Sequence, residues 1–281
     1  MTGFIDGFEP GWLEWLDAAA DEAPQGHRVL LILDGAFLPG LASRLEACAA
    51  APQAVFLRFG QTDPEALAVS PCVVAHRPHD AALRDVLHQC SARPMVTAVV
   101  TSESADQLAD RLARWAIVNA TGSLFHLRFA DTRRLPAIAR ALQPEQLADF
   151  IGPALQWRCI GRDGRWHELP RVAVEPTALT ANSIEAPPLD DAQFAALVQD
   201  SEADGLLAAL ERDLPHVWQR TRPSWRHRHA QEALREADRR GERDTPARLA
   251  RVREALRRTG ASSASHLEGT SCPHQDPCAS S

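Results

Sequence analysis

The sequence predicts an α/β protein: an N-terminal lobe with a mixed sheet and flanking helices, then a smaller all-helical lobe and a disordered tail. Short apolar runs alternate with amphipathic segments over residues 1–168, which is typical of a sheet covered by helices. Residues 169–188 carry four Pro and no regular period, which indicates a linker. Residues 189–258 show only helical periodicity. Residues 259–281 are rich in Ser, Ala, Gly and Pro, which predicts disorder.

The elements of the first lobe follow from local signals. Arg28–Leu33 is an apolar run closed by Asp34 and Gly35, and this pattern indicates a buried strand. Ser104 and Gln107 have the spacing of a capping box that opens an amphipathic helix. The predicted strands are 28–33, 54–59, 72–75, 95–101, 123–129 and 155–160, and the predicted helices lie near 12–22, 38–48, 80–90, 104–115, 132–142 and 144–151.

Three helical segments make up the second lobe. Asp190 and Gln193 have the spacing of a cap at the start of the first helix. A Trp-rich stretch over about 214–226 leads into a charged helix that ends near 240. Thr245 followed by Pro246 predicts the start of the last helix, because Pro is favoured at the first helical position.

Composition excludes several classes of protein. The 30 basic residues are all Arg, so a Walker A loop, a protein-kinase site and a Schiff-base mechanism have no lysine to use. Apolar runs fall far short of the roughly 20 residues that a membrane helix needs, and the N-terminus has no signal-peptide pattern. The six Cys show no disulfide pattern. We therefore expect a reduced, cytoplasmic protein without a cofactor.

Charge is distributed unevenly along the chain. The formal net charge is −7. Residues 211–258 hold 14 Arg against 8 acidic residues, a net charge of +6, whereas residues 1–210 have a net charge of −11. A basic helical lobe is thus predicted to follow an acidic α/β lobe.

A metal-dependent hydrolase is one function that the residues allow. Asp34 follows a strand, and His76, His79 and Asp80 are metal-ligand types at close spacing. The simpler interpretation is structural. Asp34 would bond back to the backbone of a turn in which Gly35 supplies a positive φ, and Asp80 would cap the next helix. We favour the structural interpretation and predict neither a metal site nor catalysis.

The helical lobe offers a candidate partner surface at Trp218, Arg222, Trp225 and Arg226. Trp and Arg are the residue types that most often carry binding energy at protein interfaces. The same residues suit nucleic-acid binding by charge and stacking, although the negative net charge disfavours it. A third interpretation is a solvated face whose Arg residues pair with nearby acids.

Three motifs in order resemble one known family. They are Leu31–Ala36, then Leu127–Arg133, then the helix pair and turn of Leu142–Pro153. Their order and spacing are similar to those of the type VI secretion effector chaperones, also called adaptors (the Tap or TEC group). The resemblance is strongest over 28–160 and weaker towards 258.

The resemblance implies a non-catalytic cytoplasmic protein that binds a secreted effector and helps load it onto the VgrG spike. The implied partners are therefore the effector and VgrG, with no nucleic acid or membrane. Arg128 and Arg133 flank Asp131 closely enough for a local ion pair, so we interpret the motif residues as mainly fold-defining. These residues are Asp34, Gly35, Arg128, Phe129, Asp131, Arg133 and Gly152.

The lobe boundaries predict an order of proteolytic cleavage. Limited digestion of the whole chain should cut first within 259–281 and next within 169–188, because exposed segments without a regular period are cut fastest. Mass spectrometry of the early fragments checks this order. Early cuts inside 95–160 would show that the core is misplaced.

Overall fold

A computed structural model describes residues 4–48, 51–170 and 185–267, with side chains through 258. The chain divides into two compact units, Met1–Glu202 and Ala203–Ser281. Most of the predicted linker and the end of the predicted tail, 171–184 and 268–281, lie outside the described residues.

The described part of the first unit contains two sheets. The larger sheet has the strand order β2-β3-β1-β4-β7-β8 with every neighbouring pair antiparallel, and the smaller has the order β6-β5-β9 with β5 and β9 parallel. The strands are β1 (Arg28–Asp34), β2 (Gln53–Ala54), β3 (Pro71–Ala75), β4 (Val96–Thr101), β5 (Ile117–Ala120), β6 (Ser123–His126), β7 (Ala154–Ile160), β8 (Trp166–Glu168) and β9 (Pro188–Leu189).

The centre of the larger sheet is buried on both faces. Successive side chains of a strand point to opposite faces, and on β1 Leu30 and Ile32 belong to one apolar core whereas Leu31 and Leu33 belong to the other. A strand covered on both sides needs apolar residues at every position. Burial on both faces therefore explains why the strand predicted at 28–33 is an unbroken apolar run and not an alternating one.

Helices cover both faces of this sheet. The described helices of the first unit are α1 (Trp12–Asp21), α2 (Leu41–Ala47), α3 (Val55–Arg58), α4 (Pro64–Ala68), α5 (Ala81–His88), α6 (Ala105–Arg114), α7 (Leu135–Ala141) and α8 (Pro144–Ile151). The buried residues of α1, α2 and α5 join the core of one face, and those of α6, α7 and α8 join the core of the other. The predicted α/β class is confirmed.

The predicted strand at 54–59 is wrong. The chain is extended only at β2, which pairs with β3 at the sheet edge, and it then turns into the short helix α3. The backbone N–H of Phe56 donates to the Ser70 hydroxyl at 3.0 Å, which holds this turn in place. The apolar run misled the prediction, because Leu57 and Phe59 are exposed and do not belong to a buried strand.

The second sheet was predicted only in part. Strand β6 lies within the predicted strand 123–129 but ends at His126, where the chain bends towards α7. Strands β5 and β9 are too short for their periodicity to be read from the sequence. Strand β9 ends one residue after the predicted linker and belongs to the first unit.

The described part of the second unit is helical. Helix α9 (Asp191–Leu210) crosses the division between the units and is followed by α10 (Pro215–Arg220), α11 (Pro223–Arg239) and α12 (Thr245–Leu267). The last helix runs to Leu267 rather than ending at 258 as predicted, since Ala and Ser do not stop a helix and one Gly costs only about 1 kcal/mol. No described helix is both long and apolar enough to cross a membrane.

Candidate functional site

The first two family-like motifs meet at the end of β1. Asp34 is buried there, and its carboxylate accepts a hydrogen bond from the Ala36 backbone N–H at 3.0 Å, as predicted for the turn. The guanidinium of Arg128 lies 3.5 Å from the same carboxylate. Burial raises the pKa of Asp34 above its usual value, although both contacts favour the charged form.

Gly35 has a different role from the predicted one. Its φ is not positive, so conformational freedom does not explain it. A Cβ at this position would lie 2.5 Å from the Ser70 carbonyl oxygen, so only glycine fits against that backbone. Gly152 does have a positive φ of 61°, and a side chain there would meet the guanidinium of Arg111.

The predicted ion pair around Asp131 is present. The buried carboxylate of Asp131 receives two hydrogen bonds from the Arg133 guanidinium, at 3.0 and 2.8 Å, and one from the Arg133 backbone N–H. Arg128 lies 3.9 Å away. Two arginines thus compensate the charge of one buried carboxylate, as such a group requires.

Both arginines also stack on aromatic rings that the sequence analysis did not identify. The guanidinium of Arg133 lies 5.5 Å from the ring of Phe4 and 5.4 Å from that of Phe37, and Arg128 lies 5.5 Å from Phe37. Phe4 is 52% exposed and the Arg128 side chain 51%. An exposed arginine–phenylalanine cluster is the kind of surface that anchors a protein partner.

A cavity of about 390 Å³ adjoins this cluster. Its polar side chains are those of Asp34, Gln61, His126 and Arg128, and Phe129 contributes to its wall. The remaining lining is mostly apolar and comes from the α3–α4 region and from the segment after β6. An apolar pocket with a few converging polar groups is the usual form of a binding site.

The other residues of the hydrolase hypothesis have structural contacts. His76 and His79 both approach Asp17 rather than Asp34, with nitrogen–oxygen distances of 2.9 and 3.4 Å. Asp80 caps α5 by accepting from the Leu83 backbone N–H, as predicted. Among the described residues, no three His, Cys, Asp or Glu side chains are placed to hold a metal ion.

The buried cysteines are not poised as nucleophiles. Burial raises the pKa of Cys72, Cys90 and Cys159 to about 12. At neutral pH these thiols are therefore protonated, and the thiolate is the reactive form.

The proposed surface of the helical unit is partly misplaced. Arg226 is 4% exposed, and its guanidinium donates to the Thr221 carbonyl at 2.5 Å and stacks on Trp218 at 4.9 Å. We expected this side chain at the surface, but its position on α11 places it against Trp218 and Thr221 at the C-terminal end of α10. Trp218 and Trp225 are partly buried against the helical core, and Arg222 is exposed.

Many arginines of this unit are neutralised locally. Arg239 and Arg240 both pair with Glu236, and Arg248 pairs with Asp238. These contacts match the solvated-face interpretation for much of the basic charge. Arg222, in contrast, makes no ion pair with any described residue.

A comparison of two arginines tests this assignment. Arg226→Ala should lower the free energy of unfolding by about 1–3 kcal/mol, because it removes a buried side chain and leaves the partly buried carbonyl groups of Trp218 and Thr221 without their donor. Arg222→Ala should change it by less than about 0.5 kcal/mol, because the side chain is exposed. Urea unfolding of both full-length variants measures the difference, and equal effects would contradict the assignment.

His76 predicts a pH dependence of stability. Burial lowers its pKa despite the hydrogen bond to Asp17, so the folded protein binds this proton less readily than the unfolded chain. Above the ordinary His pKa of about 6.5, His76 is neutral in both states and stability is at its full level. As the pH falls below 6.5 and through the lowered pKa of the folded state, the unfolded chain takes up this proton more readily and the free energy of unfolding decreases.

His76→Gln should therefore lose less stability than the wild type between pH 7.5 and 5.5, measured by urea unfolding. His216→Gln removes an exposed histidine and should keep the wild-type loss. A His76→Gln variant with the wild-type pH dependence would show that another group is responsible.

Comparison with known proteins gives one match. Residues 29–149 match the model of a family described as "Domain of unknown function (DUF4123)", and this region is less than half of the chain. No curated protein and no solved structure matches. The matched region contains every motif residue named above except Gly152. Over these residues, the chain is similar to the DUF4123 family.

Proposed function

We propose that the protein is a non-catalytic cytoplasmic adaptor that binds a type VI secretion effector and helps load it onto the VgrG spike. The observation that carries this proposal is the DUF4123 match over 29–149, because that family is associated with effector adaptors of the type VI system. The motif order found in the sequence supports the same family.

The geometry of the matched region suits a binding protein. Its motif residues Arg128 and Arg133 stack on Phe37 beside an apolar cavity, and Phe4, from outside the matched region, completes the exposed arginine–phenylalanine cluster. The buried carboxylates of Asp34 and Asp131 are engaged by arginines. Such a site can hold a partner through apolar contact and charge without reacting with it.

The two alternative functions have weaker support. A hydrolase built on Asp34, His76, His79 and Asp80 would need these groups to converge, but His76 and His79 approach Asp17 and Asp80 caps a helix. A nucleic-acid module would need free basic charge, and many arginines of the helical unit are paired. Metal analysis and heparin retention of the purified protein test these alternatives.

Gene deletion and co-purification test the proposal. The tagged protein should co-purify with a toxin-like protein encoded beside it, and deletion of its gene should stop export of that toxin while VgrG is still exported. Export of the toxin at the wild-type level without this protein would contradict the adaptor function.

The helical surface, now reduced to Trp218, Trp225 and Arg222, remains part of this proposal. Arg222→Glu should weaken co-purification of the effector or of VgrG at least tenfold, about 1.4 kcal/mol, while stability is unchanged. Arg257→Glu is the matched control, since it reverses another exposed arginine of the same unit. Equal capture by both variants would move the interface to the first unit.

A further inference from the structure

In the part of the chain that the structure describes, strand β6 is an edge strand whose outward backbone groups have no hydrogen-bond partner. Within the described residues it pairs only with β5. The Leu127 N–H donates to the Ala116 carbonyl, and the Asn119 N–H donates to Pro187 on the opposite side of β5. Since bonded and non-bonded pairs alternate in an antiparallel ladder, Leu124 and His126 direct their N–H and C=O groups away from β5.

The side chains of β6 border two cavities on one face. Leu124, which is 68% exposed, lines a cavity of about 940 Å³, and His126 lines the cavity of about 390 Å³ described above. Phe59 lines both, so the two cavities are neighbours that share this side chain as a wall. Phe125 points to the other face, where its ring packs on Phe194 at 4.7 Å.

Charge differs between the two ends of this groove. At the larger cavity, Arg58, Arg111 and Arg114 each pair with an acidic side chain at 3.2 Å or less. At the smaller cavity, Arg128 is half exposed, and its contacts with Asp34 and Asp131 are both long, at 3.5 and 3.9 Å. The end near Arg128 is therefore the one that can accept a further carboxylate.

We infer that an extended segment of the cargo protein adds to the free edge of β6, with apolar side chains against Leu124 and Phe59 and an acidic side chain at Arg128. Strand addition draws affinity from main-chain hydrogen bonds and specificity from pockets for alternate side chains. The edge strand supplies the first feature, and the paired cavities supply the second. That the segment belongs to a cargo protein rests on the proposed function.

Peptide selection tests this inference without any knowledge of the effector. A phage library of random nine-residue peptides is selected on the full-length protein. Enriched peptides should have an apolar residue at every second position and Asp or Glu near one end. Their affinity, measured by fluorescence anisotropy, should fall at least tenfold on Leu124→Glu and on Arg128→Glu.

Leu155→Glu is the matched control. It places the same charge on another exposed leucine, on β7 outside the groove, and should leave peptide affinity unchanged. Leu124→Pro is the second variant at the edge. It removes an N–H that β5 does not use, so it should block strand addition while thermal unfolding stays close to that of the wild type.

Three results would overturn the inference: no enriched sequence, enrichment of basic peptides, or equal binding by the Leu124 and Leu155 variants. A wild-type dimer that Leu124→Glu converts to a monomer would instead assign the edge to a second copy of the chain. If the effector co-purifies with the protein but no selected peptide depends on β6 for binding, this inference is refuted and the proposed function is not. Peptide binding at β6 without an export defect would refute the proposed function alone.

Discussion

The buried carboxylate of Asp131 is the interaction on which the arrangement of the candidate site depends. An unpaired charge in this position would cost several kcal/mol, so the chain must bring cations to it. Arg133 supplies the closest contacts and Arg128 a longer one. Because both guanidinium groups also stack on Phe37, the pairing positions the aromatic cluster at the end of β1.

Asp131 also connects the second sheet to the helices that follow it. Its carbonyl accepts from the backbone N–H groups of Arg134 and Leu135 at the start of α7, and the neighbouring Thr132 N–H donates to Pro94, just before β4. The short segment between β6 and α7 is thereby fixed against the central sheet. Leu127 and Phe129, which form part of the cavity wall, belong to this segment and are held in place by the same hydrogen bonds.

Features set by neighbouring residues were predictable from the sequence. The capping box of Ser104 and Gln107, the Asp80 cap and the Arg133–Asp131 pair each join residues two or three positions apart. Contacts between distant residues were not predictable, because spacing carries no information about them. His76 meets Asp17 from 59 positions away, and Gly152 fits against Arg111 from another element. The predicted exposure of Arg226 was wrong for a related reason, since the burial of this side chain depends on how α10 and α11 pack together.

The edge of β6 is unusual for what it lacks. Natural edge strands commonly carry charged residues or Pro, or are covered, so that they do not pair with other chains. Residues 123–126 have no Pro, Lys, Arg, Asp or Glu, and their side chains are exposed. An edge that lacks these protective residues is a hazard in a protein that must stay free, but it is a suitable surface in a protein that must hold a partner. Strand β6 and the bend after His126, which leads to Arg128 and Asp131, both lie within the region that matches the DUF4123 family.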